Sequence, residues 1–181
     1  MGQVTPVHLF TSGDEAELFV NGKSQGRLKK GPYEYRLRWD YVVYEPGEIS
    51  VVAYKNGKEW ARSSVRTAQA AAALHATADR STIAADGRDL SFITVRVADA
   101  NNVTAPRAEP RIRFTVEGPG ELVATDNGDP TNLESFKSPE RAAFNGLCLA
   151  IVRALPGKRG SITVRAAAEG LQPATLTLRA E

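Results

Sequence analysis

Apolar residues recur at every second position along most of this chain, and that period constrains its fold more than any other feature. Side chains at i, i+2 and i+4 of a strand share one face, so alternation marks half-buried strands rather than amphipathic helices. The clearest run is Leu90 to Ala98, where Ile93, Val95 and Val97 alternate with Phe92, Thr94 and Arg96. Ala16, Leu18 and Val20 fall on one face of an earlier strand, Glu17 and Phe19 on the other. Tyr33, Tyr35, Leu37 and Trp39 alternate with Glu34, Arg36, Arg38 and Asp40, which predicts a strand with an aromatic inner face. Turn signals separate these runs about every ten residues, the pattern of an all-β sandwich.

The turns carry their own signals. Asn21-Gly22 and Asn56-Gly57 supply the positive φ angles of tight hairpins. Glu45-Pro46-Gly47-Glu48 turns the chain before a strand over 49–54, whose partner runs over 59–67. The alanine-rich stretch 68–73 breaks the texture and reads as a linker, dividing the chain into domains 1–69 and 70–181. The second half continues with strands beginning near Leu74, Leu90, Arg111, Gly120, Leu147, Ser161 and Ala174. About seven or eight strands in roughly 110 residues is the size of an immunoglobulin-like sandwich. The expected fold class is therefore all-β: two consecutive immunoglobulin-like or fibronectin-like β-sandwiches. One stretch departs from the period. Ser138-Pro139-Glu140-Arg141-Ala142-Ala143-Phe144-Asn145-Gly146 places serine at an N-cap, proline at the first helical position and glycine at the stop. It predicts a helix of one to two turns and makes 126–146 the longest segment without a strand.

Composition excludes several function classes. A (β/α)₈ barrel needs roughly 250 residues, and the chain has 181. A net charge of +2, with basic and acidic residues interspersed, gives no concentrated basic face for nucleic acid. No run approaches the ~18 apolar residues of a membrane span, so no membrane insertion is expected. No leader-like segment is visible, and Met1 reads as an expression start on an excised piece. The single cysteine, Cys148, lies in the apolar run Leu147 to Val152 and reads as a small buried hydrophobe.

Candidate chemistry concentrates in few places. Asp126, Asn127, Asp129 and Glu134 cluster around Gly128, an oxygen-rich set that raises the question of Ca²⁺. Glycine at the third position breaks the EF-hand pattern, and Asx residues with glycine also build ordinary turns. A structural turn is the favoured reading, and no cofactor or metal is expected. His8 and His75 sit singly on strand-like runs, without zinc-site spacing. No pair of carboxylates stands out as the acid and nucleophile of glycoside hydrolysis. Trp60, just after a hairpin turn, and Tyr44, near another, are the candidates for sugar contact. Trp39 is expected in the core. Arg27, Lys29 and Lys30 read as a solvated edge that blocks strand pairing.

Beyond these patterns, the chain resembles a family. Ser12 to Ser24, containing Glu17-Leu18-Phe19-Val20-Asn21-Gly22-Lys23, then Tyr44-Glu45-Pro46-Gly47 and Val51-Val52-Ala53-Tyr54, resemble the small sandwich that follows the barrel in bacterial glycoside hydrolase family 2 enzymes of the β-galactosidase kind. Ala85-Asp86-Gly87, Val116-Glu117-Gly118-Pro119-Gly120, Thr125-Asp126-Asn127-Gly128-Asp129-Pro130 and Phe144-Asn145-Gly146 resemble the C-terminal domain that often comes next, itself similar to invasin-type modules. The resemblance implies a non-catalytic accessory fragment of a periplasmic or extracellular bacterial hydrolase, whose two catalytic glutamates lie in a barrel absent from these residues. Its implied partners are the catalytic and other domains of the parent, with polysaccharide or galactoside as a further candidate. Loop 126–146 is the expected docking element, with Asp126, Asn127, Asp129, Glu134 and Arg141 as interface residues. The alternative is an autonomous carbohydrate-binding or adhesin-like surface module.

Overall fold

A computed structural model describes residues 2–181 and divides the chain into two units, 1–67 and 68–181. Every regular element among the described residues is a strand. The predicted helix over 138–146 does not form. Glu140–Ala142 is a short strand instead, and Asn145 and Gly146 take φ of 51° and 73° in a tight turn that joins Phe144 to Leu147. Asn145-Gly146 is thus a third hairpin turn like Asn21-Gly22 and Asn56-Gly57, all with positive φ at both positions. Serine before proline and glycine further on mark helix ends only when something helical lies between.

The first unit contains β1 (Val7–Phe10), β2 (Glu15–Val20), β3 (Lys23–Lys29), β4 (Arg36–Trp39), β5 (Glu48–Lys55) and β6 (Lys58–Arg66). An antiparallel sheet in the order β3-β2-β5-β6 accompanies a two-stranded sheet, β1-β4. Between them lie Ala16, Leu18 and Val20 of β2, Ala53 of β5, Leu37 and Trp39 of β4, and Val42. Trp39 is buried as expected, and its indole N–H donates to the Gly26 carbonyl at 3.1 Å. The expected aromatic inner face stops there. Only Arg36–Trp39 is strand, Leu37 and Trp39 point inward, and Tyr33 and Tyr35 are exposed. The alternation over 33–39 ran past the strand's beginning, because residues 32–35 turn rather than extend. The basic residues Arg27 and Lys29 lie on edge strand β3.

The second unit contains β7 (Ala71–Ala78), β8 (Thr82–Ile83), β9 (Leu90–Asp99), β10 (Arg111–Glu117), β11 (Gly120–Asp126), β12 (Glu140–Ala142), β13 (Leu147–Ala154), β14 (Gly160–Ala167) and β15 (Ala174–Ala180). They form sheets in the orders β12-β10-β14-β15-β8 and β11-β13-β9-β7. All pairings are antiparallel except β15 with β8. The core between them holds Ile93, Val95 and Val97 of β9 and Cys148, Ala150 and Val152 of β13, together with Ile112 and Phe114 of β10 and Ile162 and Val164 of β14. The stretch 68–73 is not a free linker. Ala68 and Ala71 pack against this core, Ala71 already belongs to β7, and the Gln69 N–H donates to Asp99 Oδ2 at 2.8 Å.

Burial also fixes the chemistry of the lone cysteine. Loss of solvation pushes the Cys148 thiol up to about 12, and its sulfur sits 3.4 Å from the Asp126 carbonyl. A thiolate is the reactive species, so a thiol reagent at neutral pH should label the native chain negligibly and label it fully once denaturant is added. Rapid stoichiometric labelling without denaturant would contradict this packing.

Candidate functional site

The longest excursion from the sheets leaves the end of β11 at Asp126 and returns at β12. Its polar residues bind their own backbone. Asp126 Oδ1 accepts the N–H of Asn127 at 2.7 Å and of Gly128 at 3.3 Å, and Asn127 Oδ1 accepts that of Asp129 at 3.0 Å. Asp129 Oδ1 accepts the N–H and hydroxyl of Thr131, and Asn132 Oδ1 accepts the Glu134 N–H. This is a succession of side-chain-closed turns. Asn127 also reaches across the loop, donating from Nδ2 to the Ala142 carbonyl at 3.0 Å.

Beneath the loop lies Arg141, the largest of the fully buried side chains, at 1% exposure. A guanidinium has five N–H donors and loses much hydration when buried, so it must meet acceptors in several directions. Arg141 Nη2 donates to the Thr125 carbonyl at 2.9 Å and the Ser135 carbonyl at 2.8 Å. Nη1 donates to Asn132 Oδ1 at 3.0 Å and the Glu134 carbonyl at 3.2 Å, and Nε reaches the Thr125 hydroxyl at 3.4 Å. The Glu134 carboxylate supplies the counter-charge, 3.7 Å from Nη1. Thr125, itself fully buried, closes the base: its N–H donates to the Phe136 carbonyl and its hydroxyl to the Ser138 carbonyl. One side chain on β12 therefore organises residues 125, 132, 134 and 135 at once.

An ion-pair ladder extends outward from it. Glu134 Oε1 lies 2.7 Å from Arg111 Nη1, and Glu140 bridges Arg113 at 2.6 Å and Arg111 at 3.0 Å. Hydrogen bonds from Arg113, then Arg111, hold the Glu140 carboxyl below its usual range. Those from Glu134, then Glu140, raise the Arg111 guanidinium. What the loop offers outward is apolar: Leu133 is 97% exposed and Phe136 63%.

The structure thus brings Asp126, Asn127, Asp129, Glu134 and Arg141 into one loop, but Arg141 faces inward as its anchor. Sequence reasoning had placed Arg141 in a helix and missed Leu133 and Phe136. Two large apolar residues inside a long polar loop were the available signal. The acidic oxygens are engaged by N–H groups and arginines, and no cluster of three or more His, Cys, Asp or Glu side chains suited to a metal occurs among the described residues. Glycosidic cleavage needs one carboxyl raised towards neutrality. Here the clear carboxyl shifts run the other way. Backbone N–H groups of Asp89 and Arg88 lower Asp86, and those of Gln69 and Val103 lower Asp99. Burial alone would raise Asp79, but hydrogen bonds from the N–H groups of Phe92 and Arg80 outweigh it.

The other two candidates lie in the first unit. Trp60 is exposed on β6, donating from its indole N–H to Ser12 Oγ at 3.2 Å, with the Lys55 ammonium 5.0 Å from its ring centre. The Tyr44 hydroxyl lies 3.4 Å from Thr67 Oγ1. Neither stacks on another aromatic ring; the stacked pair among the described residues is Phe10 with Tyr35. No helix here is long and apolar enough to cross a membrane.

Comparison with known proteins follows the same division. Residues 74–177 match the family described as glycoside hydrolase family 2 C-terminal domain 5, and residues 2–61 match a domain of unknown function, DUF4982. A β-galactosidase of Bacteroides ovatus is 41% identical over 95% of this chain, which spans 20% of that protein's length. A glycosyl hydrolase family 2 member from Bacteroides cellulosilyticus superposes with a TM-score of 0.94 at 30% identity, over 99% of this chain and 23% of the other. A β-glycosidase from Bacteroides vulgatus does so with a TM-score of 0.91 at 27% identity, over 98% and 23%.

Proposed function

We propose that this chain, which belongs to the glycoside hydrolase family 2 C-terminal domain 5 family, serves as an accessory module of a β-galactosidase-type hydrolase and docks on a neighbouring domain of that enzyme through loop 126–139. The parent's activity would reside in a barrel outside these residues. One observation carries the docking role: a loop held rigid by a fully buried arginine displays two large apolar side chains to solvent. Rigid loops lose little entropy on association, and exposed apolar groups on a fixed scaffold mark contact surfaces. The relatives support the reading, since each is several times longer than the region matched.

The test is Leu133→Ser with Phe136→Ser. In the 181-residue chain the pair should leave thermal stability unchanged, because neither side chain contributes much to the core. In the whole enzyme it should lower the inactivation temperature or dissociate subunits. No change in either property of the whole enzyme would remove the loop from any interface.

A further inference from the structure

We propose that the outer face of the β1-β4 sheet is a binding site for an acidic saccharide, with the Phe10–Tyr35 pair taking the C–H face of the sugar and Arg36 its carboxylate. The site lies in the first unit and is independent of the docking loop.

The outward register of this small sheet is unusual. Antiparallel pairing sets Phe10 opposite Arg36 and His8 opposite Arg38. Val7 and Leu9 pack against the core, which leaves His8 and Phe10 on the outside. A strand position facing water normally carries a polar residue, yet Phe10 is 65% exposed and Tyr35 69%. The two rings stack, with centroids 6.2 Å apart and planes 26° from parallel. The Arg36 guanidinium lies 5.6 Å from the Tyr35 ring centre.

Charge pairing singles out the same place. Among the described residues of the first unit, Arg27 pairs with Glu15, Arg38 with Asp40, Arg62 with Glu59 and Arg66 with Glu48. Arg36 is the one arginine of this unit without a carboxylate partner. Its side-chain contact is with His8, whose Nδ1 is 3.4 Å from Nη1. The nearest acid in sequence, Glu34, is turned away: its Oε2 accepts the Gly31 N–H at 2.7 Å. Arg36 is half-buried and positioned by Tyr35 and His8, with donors left to offer.

These features define the ligand. Aromatic faces carry negative charge and attract polarised C–H groups, and a guanidinium fork matches a carboxylate in shape and charge. The ligand must therefore combine an apolar ring face with a carboxylate, as a uronic acid residue does. A peptide anchor draws its affinity from a pocket that desolvates it fully. Two rings each more than half exposed form an open platform, on which a pyranose ring can lie flat.

The experiment is a chemical-shift titration of the 181-residue chain at low salt, with oligogalacturonides compared against neutral galacto-oligosaccharides of equal length. Backbone amides of β1 and of residues 35–38 should shift and saturate with the acidic sugar, and the neutral sugar should bind at least about tenfold more weakly. Arg36→Gln should abolish that preference, and Phe10→Ser should weaken both ligands; both residues lie on the surface, so the fold should survive. Absence of saturable shifts on β1-β4, or equal affinity for the two sugars with Arg36→Gln silent, overturns the proposal. So does a silent titration in which Phe10→Ser with Tyr35→Ser lowers the stability of the whole enzyme, since the face would then be covered by another protein domain.

Discussion

Arg141→Ala is expected to destabilise the second unit by about 3–5 kcal/mol, the cost of breaking a buried, hydrogen-bonded charge. The carbonyls of Thr125, Glu134 and Ser135 and the side chain of Asn132 would each lose a donor in a site that water does not reach freely. Arg141→Lys should recover only part of the loss, because an ammonium is a point donor and cannot reproduce the planar fork. Urea denaturation of the two variants measures this directly. The transition of the second unit should move to markedly lower urea, while that of residues 1–67 stays in place. Amide exchange across 126–139 should accelerate even where the fold survives. A loss below about 1 kcal/mol is the range of an exposed ion pair and would mean that Arg141 does not hold the loop.

Trp39→Ala should unfold the first unit while the second remains folded. Large aromatic-to-alanine changes in a core cost about 3–5 kcal/mol, and a domain of about 60 residues has little stability to spare. This core consists of seven buried side chains, two of them alanines, so the indole is its largest component. The substitution also leaves the Gly26 carbonyl without its partner, next to the irregular stretch of β2–β3 pairing between Glu17 and Phe19. Limited proteolysis should cut Trp39→Ala freely before residue 68 and spare the rest. Trp39→Phe keeps most of the apolar area and should cost less. Protection of residues 1–67 in Trp39→Ala would show that this core tolerates the cavity.

The two variants differ in how far a reader of the sequence alone would have chosen them. Trp39 was legible: it shares a two-residue period with Leu37, and both are buried. The same period misled at Tyr33 and Tyr35, because alternation reports a strand only where the backbone is extended. Arg141 was legible as a residue of interest but not as an anchor. Its acceptors come from residues six to sixteen positions away, a pairing that no local pattern encodes. Three Asn-Gly dipeptides form the same turn, and only two were recognised, because the third followed an apparent helix cap.

What the sequence determined by itself was local and periodic: an all-β chain, most of its strands, two hairpin turns and the members of both cores. Burying every second side chain is a requirement that each strand states in its own residues. The family resemblance belongs to this level too, since it rests on ordered words in one chain. Only the tertiary structure decided which polar groups face inward, that the stretch 68–73 belongs to the second unit, and that Phe10, Tyr35 and Arg36 meet on one surface. Those facts depend on partners distant in sequence. Closing a sheet brings them together, and a buried polar group persists only where such partners satisfy it.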